Sequence, residues 1–202
     1  MTTQEEEDVR TVRAKHTDTT ITVYQAYSAA IAERAVAAGT FVAPFKRERM
    51  TWIKPSFLWM MYRSGWGEKP DQERVLAVEM TRDGFEWALA NASLSHYDAK
   101  LHADMDEWKQ QKESSPVRVQ WDPERSVDLE RKSYRAIQIG LSGPAVHHYV
   151  DDWITGVADV TDLAHSIHAD VKARRLDEAE SKLPQETPYS LPESICRRIG
   201  AS

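Results

Sequence analysis

The stretch ITVYQAYSAAIAERAVAAG, residues 21–39, contains the pattern of a strand followed directly by that of a helix. Residues 21–27 are rich in β-branched and aromatic side chains, which favour extended structure. Ser28 is a typical N-cap for an alanine-rich helix over residues 29–38, and Gly39 is a typical residue just beyond a helix end. This stretch therefore predicts a strand, a helix and a turn in succession.

Short strands and helices alternate along the remainder of the chain. Further strands are predicted over residues 9–14, 50–54, 74–80, 117–121 and 134–141, and further helices over residues 57–62, 82–92, 104–112, 144–153 and 162–183. Several of these strands alternate polar and apolar residues, as strands do in antiparallel sheets with one solvated face. We therefore predict an α+β fold, a single domain with a mostly antiparallel twisted sheet and flanking helices.

The two ends of the chain differ in composition from its centre. Residues 1–8 are polar and are predicted to be a disordered N-terminus. Residues 9–183 are predicted to form the globular domain. Residues 184–202 contain three prolines, which predict an extended C-terminal tail that packs on the domain.

Composition excludes several classes of protein. The 202 residues are 41% hydrophobic and 29% charged, as in soluble globular proteins. A net charge of -6 argues against a non-specific nucleic-acid coat, and no apolar run is long enough for a bilayer span. The acidic start is unlike a signal peptide, and one Cys excludes a disulfide framework, so a cytoplasmic location is predicted.

The segment ERMTWIKPSFLWMMYRSGW, residues 48–66, combines aromatic rings with positive charge. It holds three of the seven Trp of the chain, and its polar residues include Arg49, Lys54, Ser56 and Arg63. Most of these rings are expected in the core. Cations near Trp faces and beside a hydroxyl can also hold a phosphate and stack a flat ring. The alternative is an amphipathic core element whose cations reach the surface.

Two strands add polar groups that suit a ligand. In the first, alternation places Gln25 and Tyr27 on one face, an amide beside an aromatic ring. In the second, Gln138 shares its face with the small residues Ala136 and Gly140, which predicts room for a ligand there. The alternatives are an ordinary solvated strand face and a buried, satisfied amide.

Five stretches resemble the domain-of-unknown-function family 4291. They are VYQAYS, ERMTWIKPSFLWMMYRSGW, QERVLAVEMTRDGFEWAL, VQWDPER and YRAIQIGL, and together they span nearly the whole chain. The resemblance implies no activity, because that family carries none that is settled.

A weaker resemblance is to the ADP-ribosyltransferase superfamily. In that superfamily, a first strand carrying His or Arg runs into a helix, a second segment carries Ser or Tyr, and a late strand carries Glu or Gln. Here those places fall to Gln25, followed by Tyr27 and Ser28, then to Ser56 and Tyr62, and then to Gln138. Gln25 replaces the usual His or Arg, and no Glu lies on the late strand.

The weaker resemblance implies a site that binds NAD. Arg49 and Arg63 would hold the pyrophosphate, and Tyr62 or Trp52 would stack on the nicotinamide. Gln25 would hold the ribose or the amide, and Gln138 would orient the acceptor. The RNA 2′-phosphotransferases of the superfamily rely on several Arg, and Arg135 would join Arg49 and Arg63 in that role.

Three functions follow from these observations. The first is ADP-ribosyl transfer from NAD to a nucleic-acid or protein acceptor, with Gln25, Tyr62 and Gln138 as catalytic residues. The second is a non-catalytic module that binds a nucleotide or a nucleic-acid end, and the third is a structural protein whose Trp are all core. No metal is predicted, because the short spacing of Asp162, His165 and His168 on one helix face is a weak signal.

Overall fold

The secondary structure is that of a mixed α+β protein. The computed structural model describes residues 9–202. In its first half, the elements are β1 (Arg13–Ala14), β2 (Thr20–Tyr27), α1 (Ala29–Ala38), β3 (Thr51–Ile53), α2 (Phe57–Ser64), β4 (Arg74–Thr81), α3 (Arg82–Ala90) and β5 (Ala92–Leu94). The second half contains α4 (Met105–Ser114), β6 (Val117–Arg125), β7 (Arg131–Leu141), α5 (Pro144–His148), β8 (Ile154–Asp159), α6 (Thr161–Lys172), α7 (Leu176–Ser181), β9 (Thr187–Pro188) and α8 (Glu193–Ile199).

The longer strands form two sheets. One has the order β2-β4-β8 and the other the order β3-β7-β6-β5, while β1 and β9 make a separate short pair. All of these neighbours are antiparallel except β5 and β6. The predicted α+β class and mostly antiparallel pairing are confirmed, although the strands divide between two principal sheets. An isolated antiparallel bridge between Tyr24 and Lys54 joins the two at one point.

Local sequence signals explain how α1 and α2 end and how α2 begins, whereas the side chain of Ser28 at the start of α1 makes no capping hydrogen bond. Gly39 and Gly65 follow the two helices in the left-handed region, at φ of 71° and 59°, and this conformation favours glycine. Ser56 caps α2, because its hydroxyl accepts a hydrogen bond from the Trp59 amide at 3.0 Å. The buried side chains of Phe57 and Met61 then pack in one apolar cluster with Tyr24, which positions α2 beside β2.

One long helix was predicted over residues 162–183, and this prediction is wrong. The helix ends at Lys172, and Arg174 lies in the left-handed region with φ of 57° before α7 begins. The turn is held by Asp170, which is buried and forms ion pairs with Arg175 and Lys182. The spacing of apolar residues typical of a helix continues through this turn, so the sequence does not show that the helix ends at Lys172.

Other boundaries also differ from the predictions. The strand predicted over residues 117–121 is longer than expected, because β6 continues to Arg125 with an irregularity in its pairing. β8 was not predicted at all. The tail is not wholly extended, because α8 forms there and buries Ile195 and Ile199. The predicted disorder of residues 1–8 lies outside the described residues.

The largest apolar cluster lies where both sheets meet the helices. It includes Ile21 and Val23 of β2, Ile139 of β7 and the buried ring of Tyr149, which belongs to a π-helical turn, Tyr149–Trp153. Among residues 9–202, no helix has the length and apolarity that crossing a bilayer requires. The packing leaves the mouth between the two sheets open beside the Tyr24–Lys54 bridge, where the candidate site lies.

Candidate functional site

A cleft of about 400 Å³ lies at the junction of the two sheets. Its walls come from β2, β3, α2, β6, β7 and the loop before β4. Six of the ten predicted site residues line it, namely Gln25, Tyr27, Trp52, Lys54, Arg63 and Gln138. The structure therefore brings together side chains that are up to 113 positions apart in the sequence.

A slightly larger cavity, of about 480 Å³, lies elsewhere and includes Thr22 and Tyr24 of β2 in its lining. None of the ten predicted residues lines it. One of its cations, Lys182, already forms an ion pair with Asp170. We therefore place the candidate site in the cleft at the sheet junction, because its cations Lys54 and Arg63 form no described ion pair with a carboxylate of the protein.

Lys54 is the most unusual group in the cleft. Its backbone is fixed by the bridge to β2, in which the Tyr24 amide donates to the Lys54 carbonyl at 2.7 Å. The residue is only 5% exposed. Its ammonium makes one long hydrogen bond, 3.4 Å to the Trp52 carbonyl, and no described carboxylate lies within ion-pair distance.

The surroundings of Lys54 oppose its protonation. Burial, with a smaller contribution from the nearby charge of Arg63, lowers the pKa of Lys54 to about 8, against the opposing effect of Asp122. Arg63 lines the same cleft, and its guanidinium donates to no described residue. Two cations at one cleft without a paired anion are destabilising, so an anionic ligand would be favoured there.

The floor of the cleft holds two amides, which bind a neighbouring carboxylate. Gln120 and Gln138 lie opposite each other on β6 and β7. Each donates from its side-chain nitrogen to Asp122, at 2.9 Å and 2.7 Å. Because an ionised carboxylate only accepts hydrogen bonds, these contacts leave both amide oxygens without a described donor. The floor can thus accept hydrogen bonds from ligand hydroxyl or amino groups.

Gln25 was predicted to hold the ribose or the amide of a ligand, but its side chain is already engaged by the protein. Its nitrogen donates to Tyr27 at 2.8 Å and to Thr51 at 2.7 Å, and its oxygen accepts from Tyr149 at 2.7 Å. Burial raises the pKa of Tyr27 to about 12 and raises that of Tyr149 well above its usual value, so both phenols stay neutral. Gln25 therefore positions the wall of the cleft.

Replacing Tyr149 by Phe should destabilise the protein by about 1–2 kcal/mol, because the buried oxygen of Gln25 loses its donor. Tyr134→Phe is the matched control, since the Tyr134 hydroxyl makes no described hydrogen bond and the ring is only half-buried. Urea denaturation of the two variants and the native protein gives the comparison. Equal stability of all three would contradict the role of this network.

The space predicted above Gly140 is filled by the protein itself. A Cβ at Gly140 would lie 2.8 Å from the Met50 sulfur and 3.0 Å from two ring atoms of Trp52. Gly140 is directly opposite Trp52 in the β3–β7 pairing. The glycine therefore admits the indole of Trp52, which is half-buried and forms one wall of the cleft.

Arg49 lies beside the cleft rather than in it. It lines a neighbouring cavity of about 390 Å³, which shares Tyr27, Met50 and Thr51 with the cleft. Arg49 is exposed and follows the stacked rings of Phe41 and Phe45 in the chain. A ligand longer than the cleft could extend from Lys54 towards Arg49 through this shared wall.

Three predicted residues lie outside the cleft. Ser56 is buried, caps α2 and donates to Glu124 at 2.9 Å. Tyr62 stacks on Trp59 and contacts the guanidinium of Arg125, 3.7 Å from the ring centre. Strand alternation places Arg135 on the face of β7 opposite that of Gln138.

Sequence reasoning did not identify Gln120, Asp122 and Tyr149 as site residues. Gln120 and Asp122 have the spacing of one strand face, but the predicted strand ends at residue 121. Since β6 continues through Pro123, both side chains point to the cleft side of the sheet. No local sequence pattern identifies Tyr149 as a site residue, because its hydrogen-bond partner Gln25 is 124 positions away in the sequence.

Among residues 9–202 there is no group of three or more His, Cys, Asp or Glu side chains that could hold a metal ion. In the family comparison, residues 11–189 match the model described as "Domain of unknown function (DUF4291)". No curated protein and no solved structure matches the chain. The match covers every residue of the cleft.

Proposed function

The chain belongs to the family described as domain of unknown function DUF4291, and we propose that its cleft binds a nucleotide, with NAD as the first candidate. The observation that supports this proposal is the pair of cations at the cleft, Lys54 and Arg63, without a matched carboxylate. A phosphate would supply the missing negative charge. Charge-assisted hydrogen bonds to phosphate are among the strongest that proteins make.

The other groups of the cleft fit the remaining parts of a nucleotide. Trp52 offers a half-buried ring on which a flat base or a nicotinamide can stack. The oxygens of Gln120 and Gln138 can accept hydrogen bonds from ribose hydroxyls. Arg49, beyond the shared wall, can reach a second phosphate of a dinucleotide. These contacts support a ligand of nucleotide size.

ADP-ribosyl transfer is a second candidate, and the observation that favours it is Asp122. When nicotinamide leaves NAD with the electron pair of the glycosidic bond, positive charge develops at the sugar carbon. A carboxylate beside that carbon stabilises this charge and can take the proton of the acceptor that attacks it. Asp122 is held by two amides at the cleft floor, so it is the group to which we assign this role.

The experiment is a thermal-shift series with NAD, ADP-ribose, AMP and an oligonucleotide with a 5′-phosphate. A ligand at a hundred times its dissociation constant stabilises the protein by about 2.7 kcal/mol. Stabilisation by NAD with release of nicotinamide supports transfer. Stabilisation without release supports a non-catalytic binding module for a nucleotide or a nucleic-acid end. No stabilisation by any of these compounds contradicts the proposal and leaves a structural role.

Arg63→Ala should weaken nucleotide binding about tenfold or more, because one charge-assisted contact to phosphate is lost. Its thermal stability without ligand should stay close to that of the native protein, since the side chain is exposed. Arg131→Ala removes the same charge from an exposed site at the far end of β7 and should leave binding unchanged. Isothermal titration calorimetry with the best ligand of the series compares the two. Equal weakening in both variants would contradict a specific contact.

A further inference from the structure

The position of Lys54 suits a reaction as well as a charge contact. We propose that the side-chain amine of Lys54 forms an imine with the aldehyde of a phosphorylated sugar bound in the cleft. This inference deepens the proposed function, because it names a chemical class for the ligand of the same site. Ring-opened ribose 5-phosphate and ADP-ribose both belong to that class.

Geometry provides the first argument. Lys54 lines an open cleft, yet the residue is 5% exposed and its backbone is held on both sides, by β3 and by the bridge to Tyr24. Its single described hydrogen bond is the 3.4 Å contact to the Trp52 carbonyl. An amine in this position is fixed in place but is not occupied by a protein carboxylate.

The protonation of the amine provides the second argument. Only a neutral amine attacks a carbonyl carbon, and burial is a recognised way to obtain one near neutral pH. The pKa of Lys54 is lowered to about 8 by burial and by Arg63 of α2, against the opposing charge of Asp122 of β6. With this pKa, roughly one tenth of the side chain is neutral at pH 7 and about half at pH 8.

The reaction balances without an additional reactant. The nitrogen lone pair forms the C–N bond, the carbonyl π electrons move to oxygen, and this oxygen takes a proton while the nitrogen releases one. The carbinolamine then loses water, as the C–O bond breaks, the oxygen takes a second proton and the nitrogen gives up its last one. Protons exchange with solvent at the open mouth of the cleft, and no electrons are transferred between reactants.

The surroundings of Lys54 explain why the aldehyde should carry a phosphate and hydroxyl groups. Arg63 supplies an unmatched positive charge for the phosphate. Gln120 and Gln138 supply acceptor oxygens for sugar hydroxyls, because their nitrogens are bound to Asp122. Other lysines lack this environment: Lys109 and Lys172, for example, are exposed and paired with carboxylates.

The test is reductive trapping in the full-length protein. Ribose 5-phosphate and cyanoborohydride are incubated with the protein at pH 7.5, and modified peptides are mapped by mass spectrometry. We expect the reduced adduct chiefly on Lys54, at near one per chain, and at least tenfold less when ribose without phosphate is used. Equal labelling across exposed lysines, or an unmodified Lys54, would overturn the inference.

Two variants distinguish the reaction of the Lys54 amine from the contribution of its positive charge to anion binding. Lys54→Arg keeps a cation but cannot form an imine, so it should lose the adduct while retaining a measurable part of its anion binding. Lys54→Met is the second variant. If neither variant folds, peptide mapping of the native protein shows whether Lys54 carries the reduced adduct. An adduct on Lys54 that NAD and AMP do not compete for would support the imine while contradicting nucleotide binding. Nucleotide binding without any adduct would contradict the imine alone.

Discussion

Gly84→Ala is expected to destabilise the protein by about 3 kcal/mol or more, because no space exists for a side chain at this position. A Cβ there would lie 2.3 Å from Cγ of Trp153 and within 2.7 Å of two more ring atoms. The indole cannot move freely, since it packs against Trp87 and stacks on His148, with ring centres 5.3 Å and 5.7 Å away. The first turn of α3 would have to shift instead.

Gly156→Ala is the matched control for this substitution. Gly156 lies in β8, its φ is not positive, and a Cβ there would meet no atom within 4 Å. Its stability should therefore change little, or rise slightly because alanine restricts the unfolded chain. Urea denaturation measures both variants. A loss below about 1 kcal/mol for Gly84→Ala would mean that α3 and the π-helical turn adjust more easily than their packing indicates.

The second large effect concerns pH and the carboxyl of Glu186, a half-buried residue. This carboxyl accepts a hydrogen bond from the Phe57 amide at 2.7 Å, at the first turn of α2. Burial, with a smaller contribution from the nearby charge of Glu124, raises the pKa of Glu186 to about 8, although the hydrogen bond from Phe57 and the charge of Arg13 oppose the shift. Glu124 is itself 6% exposed, and burial raises its pKa as well.

The sign of the pH effect follows from the raised pKa. Between about pH 4.5 and pH 8, Glu186 is protonated in the folded protein and ionised in the unfolded chain. Its contribution to stability is therefore complete at low pH and is lost as the pH rises to about 8, at up to about 1.4 kcal/mol per pH unit. From pH 5 to pH 8, this amounts to a loss of roughly 3–4 kcal/mol.

Glu186→Gln should remove most of this pH dependence, because the amide oxygen can still accept from Phe57 but the group no longer ionises. Urea midpoints at pH 5, 6, 7 and 8 give the slope for each protein. Glu193→Gln is the control, since Glu193 is exposed and its ion pair with Arg197 lies on the surface of α8. Parallel slopes for Glu186→Gln and the native protein would refute the assignment.

The sequence predicts the elements with strong local signals. The strand and helix of residues 20–38 form as predicted, and the predicted helix that follows β4 begins at Arg82, where Thr81 caps it by accepting from the Gly84 amide at 3.2 Å. β8 was missed because it is an edge strand, half-exposed and interrupted by Gly156, so it lacks an apolar run. The end of α6 was missed because the ion pairs of Asp170 hold the turn after it, and such contacts have no local pattern.

The candidate site was predictable in chemistry but not in geometry. The aromatic and basic pattern of residues 48–66 identifies Trp52, Lys54 and Arg63, which do line the cleft. The same pattern includes Tyr62, which lies on another face of α2. Whether each side chain faces the cleft depends on cross-strand pairing and on how α2 packs on β2, and both are set by contacts between distant segments.

The bridge between Tyr24 and Lys54 links the packing of the two sheets to the position of the Lys54 side chain. Lys54 lines the cleft with its side chain. Among residues 9–202, it is also the residue whose backbone hydrogen bonds with Tyr24 connect the two sheets. A substitution that altered the angle between the sheets would displace the Lys54 amine at the same time. The packing of the two sheets and the position of this amine therefore depend on the same residue.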